Sequence, residues 1–123
     1  MGDCQNRPEE FRNRTKQFAL RIVRLFRSLP RNPDAQVMGK QLLRCGTSVA
    51  ANYRAVCRAR SKAEFIARIG IVVEEADESV FWLEMLGETN IVSSSRIADL
   101  LKEAQELTAV FTKSQMTAKE PER

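Results

Sequence analysis

Basic side chains recur along one predicted helix face of this chain. Lys40, Arg44, Arg54 and Arg58 follow one another at intervals that place all four on one side of an α-helix. The neighbouring segments add further arginines to this set: Arg14, Arg21, Arg24 and Arg60. Guanidinium groups bind phosphate oxygens through paired hydrogen bonds, so the pattern indicates a surface that could bind RNA or DNA. It fits equally well a solvated face, or a face paired with carboxylates of this chain or of another subunit.

Carboxylates cluster later in the chain, where Glu74, Glu75 and Glu78 share a predicted helix face. In four-helix bundles such glutamates hold metal ions together with histidines, and this chain has no histidine. We therefore expect no metal and no cofactor. The absence of histidine also removes the commonest general base and the serine and cysteine triads, and no glycine-rich phosphate loop is present. We expect a protein that is not an enzyme.

The three cysteines are Cys4, Cys45 and Cys57, an odd number at spacings that match no zinc or redox motif. On one helix Cys45 and Cys57 would lie roughly 18 Å apart, which excludes a disulfide between them. Free thiols are typical of a reducing cytoplasm. We expect neither a secretory signal nor a transmembrane helix, because the chain has no sufficiently long apolar run.

Charge is divided unevenly along the chain, although the overall balance of 20 basic and 16 acidic residues is modest. Residues 1–60 hold 13 Lys and Arg against 4 Asp and Glu, a net charge of +9. Residues 61–123 hold 7 against 12, a net charge of −5. The first half could therefore bind phosphate, or it could pair with the acidic half of a neighbouring subunit.

Apolar residues repeat every three to four positions in four stretches, and no proline falls between Asp34 and Glu120. The repeats predict helices over about 9–29, 33–59, 62–88 and 94–113, with tails at 1–8 and 116–123. Ser61 and Glu64 have the spacing of a capping box at the start of the third helix. Short loops force neighbouring helices to be antiparallel, so residues 1–123 are expected to form one all-α domain, an up-down-up-down four-helix bundle.

Polar residues on the second and third predicted helices lie at matching heights of an antiparallel pair. The set is Arg44, Ser48, Asn52, Glu75 and Glu78. We predict that they form a polar network across the two helices, chiefly with a structural role. Three glycines inside helices, Gly39, Gly46 and Gly70, predict close helix approach, either within the bundle or between subunits.

Three motifs carry a resemblance to a known family. They are Arg44-x-x-Thr47-Ser48-Val49-x-x-Asn52-Tyr53-Arg54, Ala59-Arg60-Ser61-Lys62-x-Glu64-Phe65-Ile66 and Glu74-Glu75-x-x-Glu78-x-x-x-Trp82-Leu83. Together they resemble the four helix bundle family of 23S rRNA intervening-sequence proteins, less specifically over Phe11 to Phe111. One departure is Tyr53-Arg54-Ala55-Val56, where many members have Ile-Ala-Glu-Gly.

The resemblance implies a homopentameric ring of bundles with no established catalytic activity. It also extends to the accessory variability protein of diversity-generating retroelements, a basic pentamer that binds nucleic acid and a reverse transcriptase. We therefore expect a cytoplasmic, homo-oligomeric scaffold that could bind RNA or DNA phosphates through its basic face. The alternative is an oligomeric protein–protein adaptor whose charged faces are used in contacts between subunits or with a protein partner.

Overall fold

A computed structural model describes the backbone of residues 2–121 and the side chains of residues 7–121. Within that part of the chain the secondary structure consists of four helices and no strand. They are α1 (Gly2–Ser28), α2 (Pro33–Val56), α3 (Lys62–Glu88) and α4 (Ser94–Lys119). The fold is therefore all-α.

Local sequence signals account for the ends of the helices. Pro33 is the first residue of α2, where its fixed backbone angle favours the helix and its missing N–H is not needed. Ser61 and Ser93 each cap a helix by accepting a hydrogen bond from a backbone N–H in the first turn. Beyond α3, Asn90 has a positive φ of 63°, a conformation that asparagine tolerates better than most residues.

The helices pack in sequence, α1 on α2, α2 on α3 and α3 on α4, and α1 meets α4 least closely. Neighbouring helices are antiparallel, as in a four-helix bundle. Leu29, which directly follows α1, meets Gly39 of α2. Ile22, earlier in α1, meets Gly46, so the contacts follow reverse order along the two helices. The basic pair α1–α2 thus forms one side of the bundle and the acidic pair α3–α4 the other.

The core is a continuous apolar cluster drawn from all four helices, with Phe18, Ile22, Leu42, Leu83 and Leu107 almost fully buried. Near one end of the bundle, the rings of Phe11, Tyr53 and Phe111 pack together with centroids 5.1 to 6.3 Å apart. This aromatic cluster lies at the same end as the connection between α2 and α3.

Close helix approach is observed at two of the three predicted glycines, Gly39 and Gly46. A Cβ atom added to Gly46 would lie 2.9 Å from Ile22 Cγ1, and one added to Gly39 would lie 2.5 Å from Leu29 Cδ1. Both glycines therefore let α2 approach α1. At Gly70 the neighbouring atom, 2.7 Å away, is the amide nitrogen of Gln115 on α4.

The helix ends differ from the predicted ones in three places. α1 begins at Gly2 rather than near residue 9 and includes Pro8, which has no N–H to donate to the helix ladder. α2 ends at Val56 rather than near 59, because the next residues form tighter turns. α4 continues to Lys119, where the predicted tail was to begin at 116. Hydrogen bonds from Gln115 to Ile66 O and from Lys62 to Glu120 O join that last part of α4 to α3.

Among the residues that the structure describes, no helix is both long and apolar enough to cross a membrane.

Candidate nucleic-acid interface

A concave basic surface lies beside the connection between α2 and α3. It encloses about 550 Å³ and is lined by Ala51, Arg54, Ala55, Arg58, Arg60, Glu64 and Arg68. Arg54 comes from the last turn of α2, Arg58 and Arg60 from the connection, and Arg68 from the second turn of α3. We call this surface the arginine concavity.

Of the residues that the structure describes, Glu64 is the one carboxylate that lines the arginine concavity, and it already accepts two hydrogen bonds. It accepts hydrogen bonds from the Arg60 backbone N–H at 3.2 Å and from Arg68 Nε at 3.1 Å. These two bonds lower the pKa of the Glu64 carboxyl below its ordinary value. Among the described residues no carboxylate lies within ion-pair distance of Arg54, Arg58 or Arg60. The guanidinium groups of these three arginines are therefore available to an external anion.

The Ser61–Glu64 pair forms half of the predicted capping box. Ser61 Oγ accepts a hydrogen bond from the Glu64 N–H at 3.0 Å, as expected. The Glu64 carboxylate, however, accepts from the N–H of Arg60 rather than from that of Ser61. Arg68 Nε also donates a hydrogen bond to this carboxylate.

Two of the predicted phosphate-binding residues are instead paired within the bundle. Arg14 donates to Glu103 through Nε and Nη2, both at 2.8 Å, and its Nη2 lies 3.5 Å from Glu106. The hydrogen bonds to Glu103 raise the pKa of Arg14. Arg44 donates to Glu78 and, at 3.4 Å, to Glu75. The hydrogen bond to Glu78 is the main cause of the raised pKa of Arg44.

Three further predicted residues, Arg21, Arg24 and Lys40, do not line the arginine concavity. Arg24 and Lys40 are exposed, and Arg21 is half-buried. The structure thus separates the predicted set into Arg54, Arg58 and Arg60 at the arginine concavity and five cations elsewhere. Arg68 was not among the predicted phosphate-binding residues, because it lies in the acidic half of the chain. Its spacing of four from Glu64 was the available signal.

The predicted polar network between α2 and α3 is only partly formed. Arg44 bridges Glu75 and Glu78, and Glu78 also accepts a hydrogen bond from Trp82 Nε1 at 3.1 Å. Partial burial opposes ionisation of Glu78, but the bonds from Arg44 and Trp82 outweigh it and lower the pKa of this carboxyl. Asn52 does not join them, since its amide donates to Ser48 O one turn back in α2.

The acidic residues of α3 do not converge on a common point. Within the described part of the chain, no group of three carboxylate or thiol side chains has an arrangement that could hold a metal ion. Arg44 lies between Glu75 and Glu78 and supplies the positive charge there.

Two of the three cysteines are described, and both are free thiols. Cys45 is buried, and burial raises the pKa of its thiol above the ordinary value. Cys57 is half-buried next to the connection between α2 and α3. The side chain of Cys4 lies outside the described residues.

Comparisons with known proteins agree with this architecture. A search of curated proteins found no significant match. Among solved structures, the chain is similar to a protein of unknown function from the S23 ribosomal protein family of Bacteroides thetaiotaomicron VPI-5482. The two are 33% identical with a TM-score of 0.79, and the match covers 85% of this chain and 96% of that one. Residues 9–113 match the family model described as 23S rRNA-intervening sequence protein. The chain therefore belongs to the 23S rRNA-intervening sequence protein family.

Proposed function

We propose that this protein is a non-enzymatic, homo-oligomeric scaffold in the cytoplasm that binds RNA or DNA phosphates through the arginine concavity. The observation that carries the proposal is the difference in pairing between the basic residues. Arg14 and Arg44 are bonded to carboxylates of the same chain, whereas Arg54, Arg58 and Arg60 surround a single carboxylate that is already engaged. The proposed binding surface is therefore smaller than the predicted basic face of α1 and α2 and lies at one end of the bundle.

The charge of the arginine concavity favours a ligand that carries several anionic groups. Four guanidinium groups and one carboxylate give the arginine concavity a local excess of positive charge. A nucleic acid backbone presents a row of phosphates, each able to accept paired hydrogen bonds from one arginine. The description of the family refers to a 23S rRNA intervening sequence, so RNA is the first nucleic acid to test.

The test is binding of a fluorescently labelled RNA of mixed sequence, followed by anisotropy between about 50 and about 200 mM salt. Three phosphate contacts on a single strand give a slope of about −2 for log K against log salt, hence a loss of roughly tenfold or more in affinity. Replacing both Arg54 and Arg58 by Gln should weaken binding of all sequences alike and make the slope shallower.

The matched control replaces Arg27 and Arg31 by Gln. Both are exposed, and they lie at the opposite end of the bundle, beside the connection between α1 and α2. The charge change is the same, so unequal effects of the two double variants identify the arginine concavity as the site. Equal effects, or no salt-sensitive binding of RNA or DNA at low salt, would contradict the proposal.

The oligomer is part of the same proposal, and the resemblance implies a ring of five. Exposed apolar side chains support an interface: Phe81 and Ile71 on α3, and Leu20 on α1, are 49%, 41% and 38% exposed. They lie on helices of opposite charge, which favours contact between the α3 face of one copy and the α1 face of the next. Light scattering should give five times 14.0 kDa. A measured mass equal to that of one chain would contradict the proposed oligomer.

The alternative function is that of a protein–protein adaptor, and the exposed Phe81 is the observation in its favour. Phe81 packs edge-on against Trp82 with ring centroids 4.8 Å apart, and such aromatic pairs are common in protein interfaces. Replacing Phe81 by Ser separates the possibilities. If the oligomer is lost, Phe81 lies in the interface between copies. If the oligomer remains intact, the Phe81–Trp82 pair is free to bind another protein, as the adaptor function requires.

A further inference from the structure

An apolar groove adjoins the arginine concavity at the same end of the bundle. Its central part encloses about 220 Å³, and the lining includes four aromatic rings, those of Phe11, Tyr53, Phe65 and Phe111. On one side it continues into a space of about 450 Å³ lined by Arg60 and Ser61. On the other side a space of about 530 Å³ is lined by Arg7 and Lys113. We call the three together the aromatic groove.

Phe65 is the one aromatic residue that lines all three parts of the aromatic groove. Phe11, Tyr53 and Phe111 are almost fully buried and pack on one another, so they form the floor. Phe65 is only half-buried, and among the described residues no other aromatic ring packs against it. A planar ligand can therefore reach its ring.

Cations stand at both ends of the aromatic groove. Arg60 belongs both to the groove and to the arginine concavity, so the two surfaces are continuous. Arg7 and Lys113 are exposed on the far side, and Arg7 also lines the central part of the groove. No carboxylate lines any of the three parts of the groove within the described residues. The arrangement is an apolar slot between two positively charged rims.

We propose that the aromatic groove receives an unstacked base of a single-stranded nucleic acid, which stacks on Phe65. The phosphate on one side of that base lies at Arg60, and the phosphate on the other side lies near Arg7 and Lys113. The inference rests on the proposed function, and it adds that the preferred ligand is single-stranded. Proteins that bind single strands combine a positively charged groove with aromatic rings on which bases stack. In a duplex the bases are already stacked and paired and cannot enter the slot.

The experiment compares a short single-stranded RNA with a blunt-ended duplex of equal length formed from two complementary strands, both fluorescently labelled, at one low salt concentration. The single strand should bind about tenfold more tightly than the duplex, the range expected for one stacked base. A fluorescent base analogue within the single strand should also lose emission on binding, because stacking on an aromatic ring quenches it. Single-stranded DNA serves as a second probe.

Variants of Phe65 separate stacking from phosphate binding. Phe65→Leu keeps an apolar side chain of similar volume and removes the ring, so the single strand should bind only as tightly as the duplex. Binding of the duplex should not change. Phe65→Tyr should restore the preference. Phe26→Leu is the control, since it removes a half-buried phenylalanine at the opposite end of the bundle, near the C-terminal end of α1. Circular dichroism on each variant checks that the bundle remains folded.

The outcomes distinguish this inference from the proposed function. Salt-sensitive binding that depends on Arg54 and Arg58, with equal affinity for single strand and duplex, would overturn the base-binding groove and leave phosphate binding intact. An unchanged preference in Phe65→Leu would also overturn it. Absence of binding by either probe would overturn both proposals together.

Discussion

The guanidinium of Arg14 and the carboxylate of Glu103 form two parallel hydrogen bonds of 2.8 Å that join α1 to α4. Both side chains are mostly shielded, with 30% and 17% of their side-chain surface exposed. The Arg14 guanidinium also lies over the Phe11 ring, 5.6 Å from its centroid. Because α1 and α4 are the least closely packed neighbours, this pair carries an unusual share of the contact between them.

Removing this pair should lower the free energy of unfolding. We expect Arg14→Gln to cost about 1 kcal/mol in urea unfolding, because a partly shielded, charge-assisted bond is lost and Glu103 keeps its charge without a partner. Arg12→Gln is the control, since Arg12 is exposed on the same helix without an ion pair to a described residue. A double-mutant cycle with Glu103→Gln should show coupling; additive effects would contradict the assignment.

Two glycine-to-alanine changes should have opposite outcomes. Alanine is the better helix former by about 1 kcal/mol at each site. At Gly46 the new methyl would meet the branched side chain of buried Ile22, which cannot move away, so we expect a lower free energy of unfolding. At Gly70 it would meet only the flexible end of Gln115, so we expect no loss or a small gain. Thermal unfolding followed by circular dichroism measures both, and a stabilised Gly46→Ala would contradict the close approach of α1 and α2.

Ser61→Ala should destabilise the start of α3 by about 1 kcal/mol, because the Glu64 N–H loses its capping oxygen. Ser61→Asp should retain most of the stability, since aspartate caps helices as well as serine does. Ser61→Ala should also loosen the arginine concavity, because the Glu64 carboxylate there accepts a hydrogen bond from the Arg60 backbone N–H. Amide hydrogen exchange in residues 60–65 is the measurement. Unchanged exchange in Ser61→Ala would show that the cap does not hold this segment.

The sequence predicted the four helices because apolar periodicity and prolines act locally, within a few residues of each helix end. It could not predict which basic residues remain free, because ion pairs such as Arg14 with Glu103 depend on tertiary contacts between α1 and α4. All eight predicted cations looked alike in sequence, yet only Arg54, Arg58 and Arg60 line the arginine concavity. Likewise, Phe65 has the periodicity of a core residue. It is nevertheless only half-buried, because it lies in the first turn of α3 at the end of the bundle.

The network of Arg44, Glu78 and Trp82 gives a pH dependence whose sign follows from the lowered pKa of Glu78. A carboxyl with a folded-state pKa below its unfolded value, about 4.3 for glutamate, contributes stability above that pH. The contribution is lost as pH falls through the folded-state pKa. The unfolding free energy of the native chain should therefore fall more steeply below about pH 4.3 than that of Glu78→Gln.

Trp82 is the single tryptophan of the chain, so its fluorescence can follow urea unfolding at pH 6 and at pH 3. Glu84→Gln is the matched control, because Glu84 is exposed on the same helix and pairs with no described cation. It should keep the native pH dependence. Since Arg44 is half exposed, the loss at pH 6 in Glu78→Gln should be small, and the difference between the two variants should appear in the acid range. Parallel pH profiles for Glu78→Gln and the native chain would show that the ion pair contributes nothing to folding.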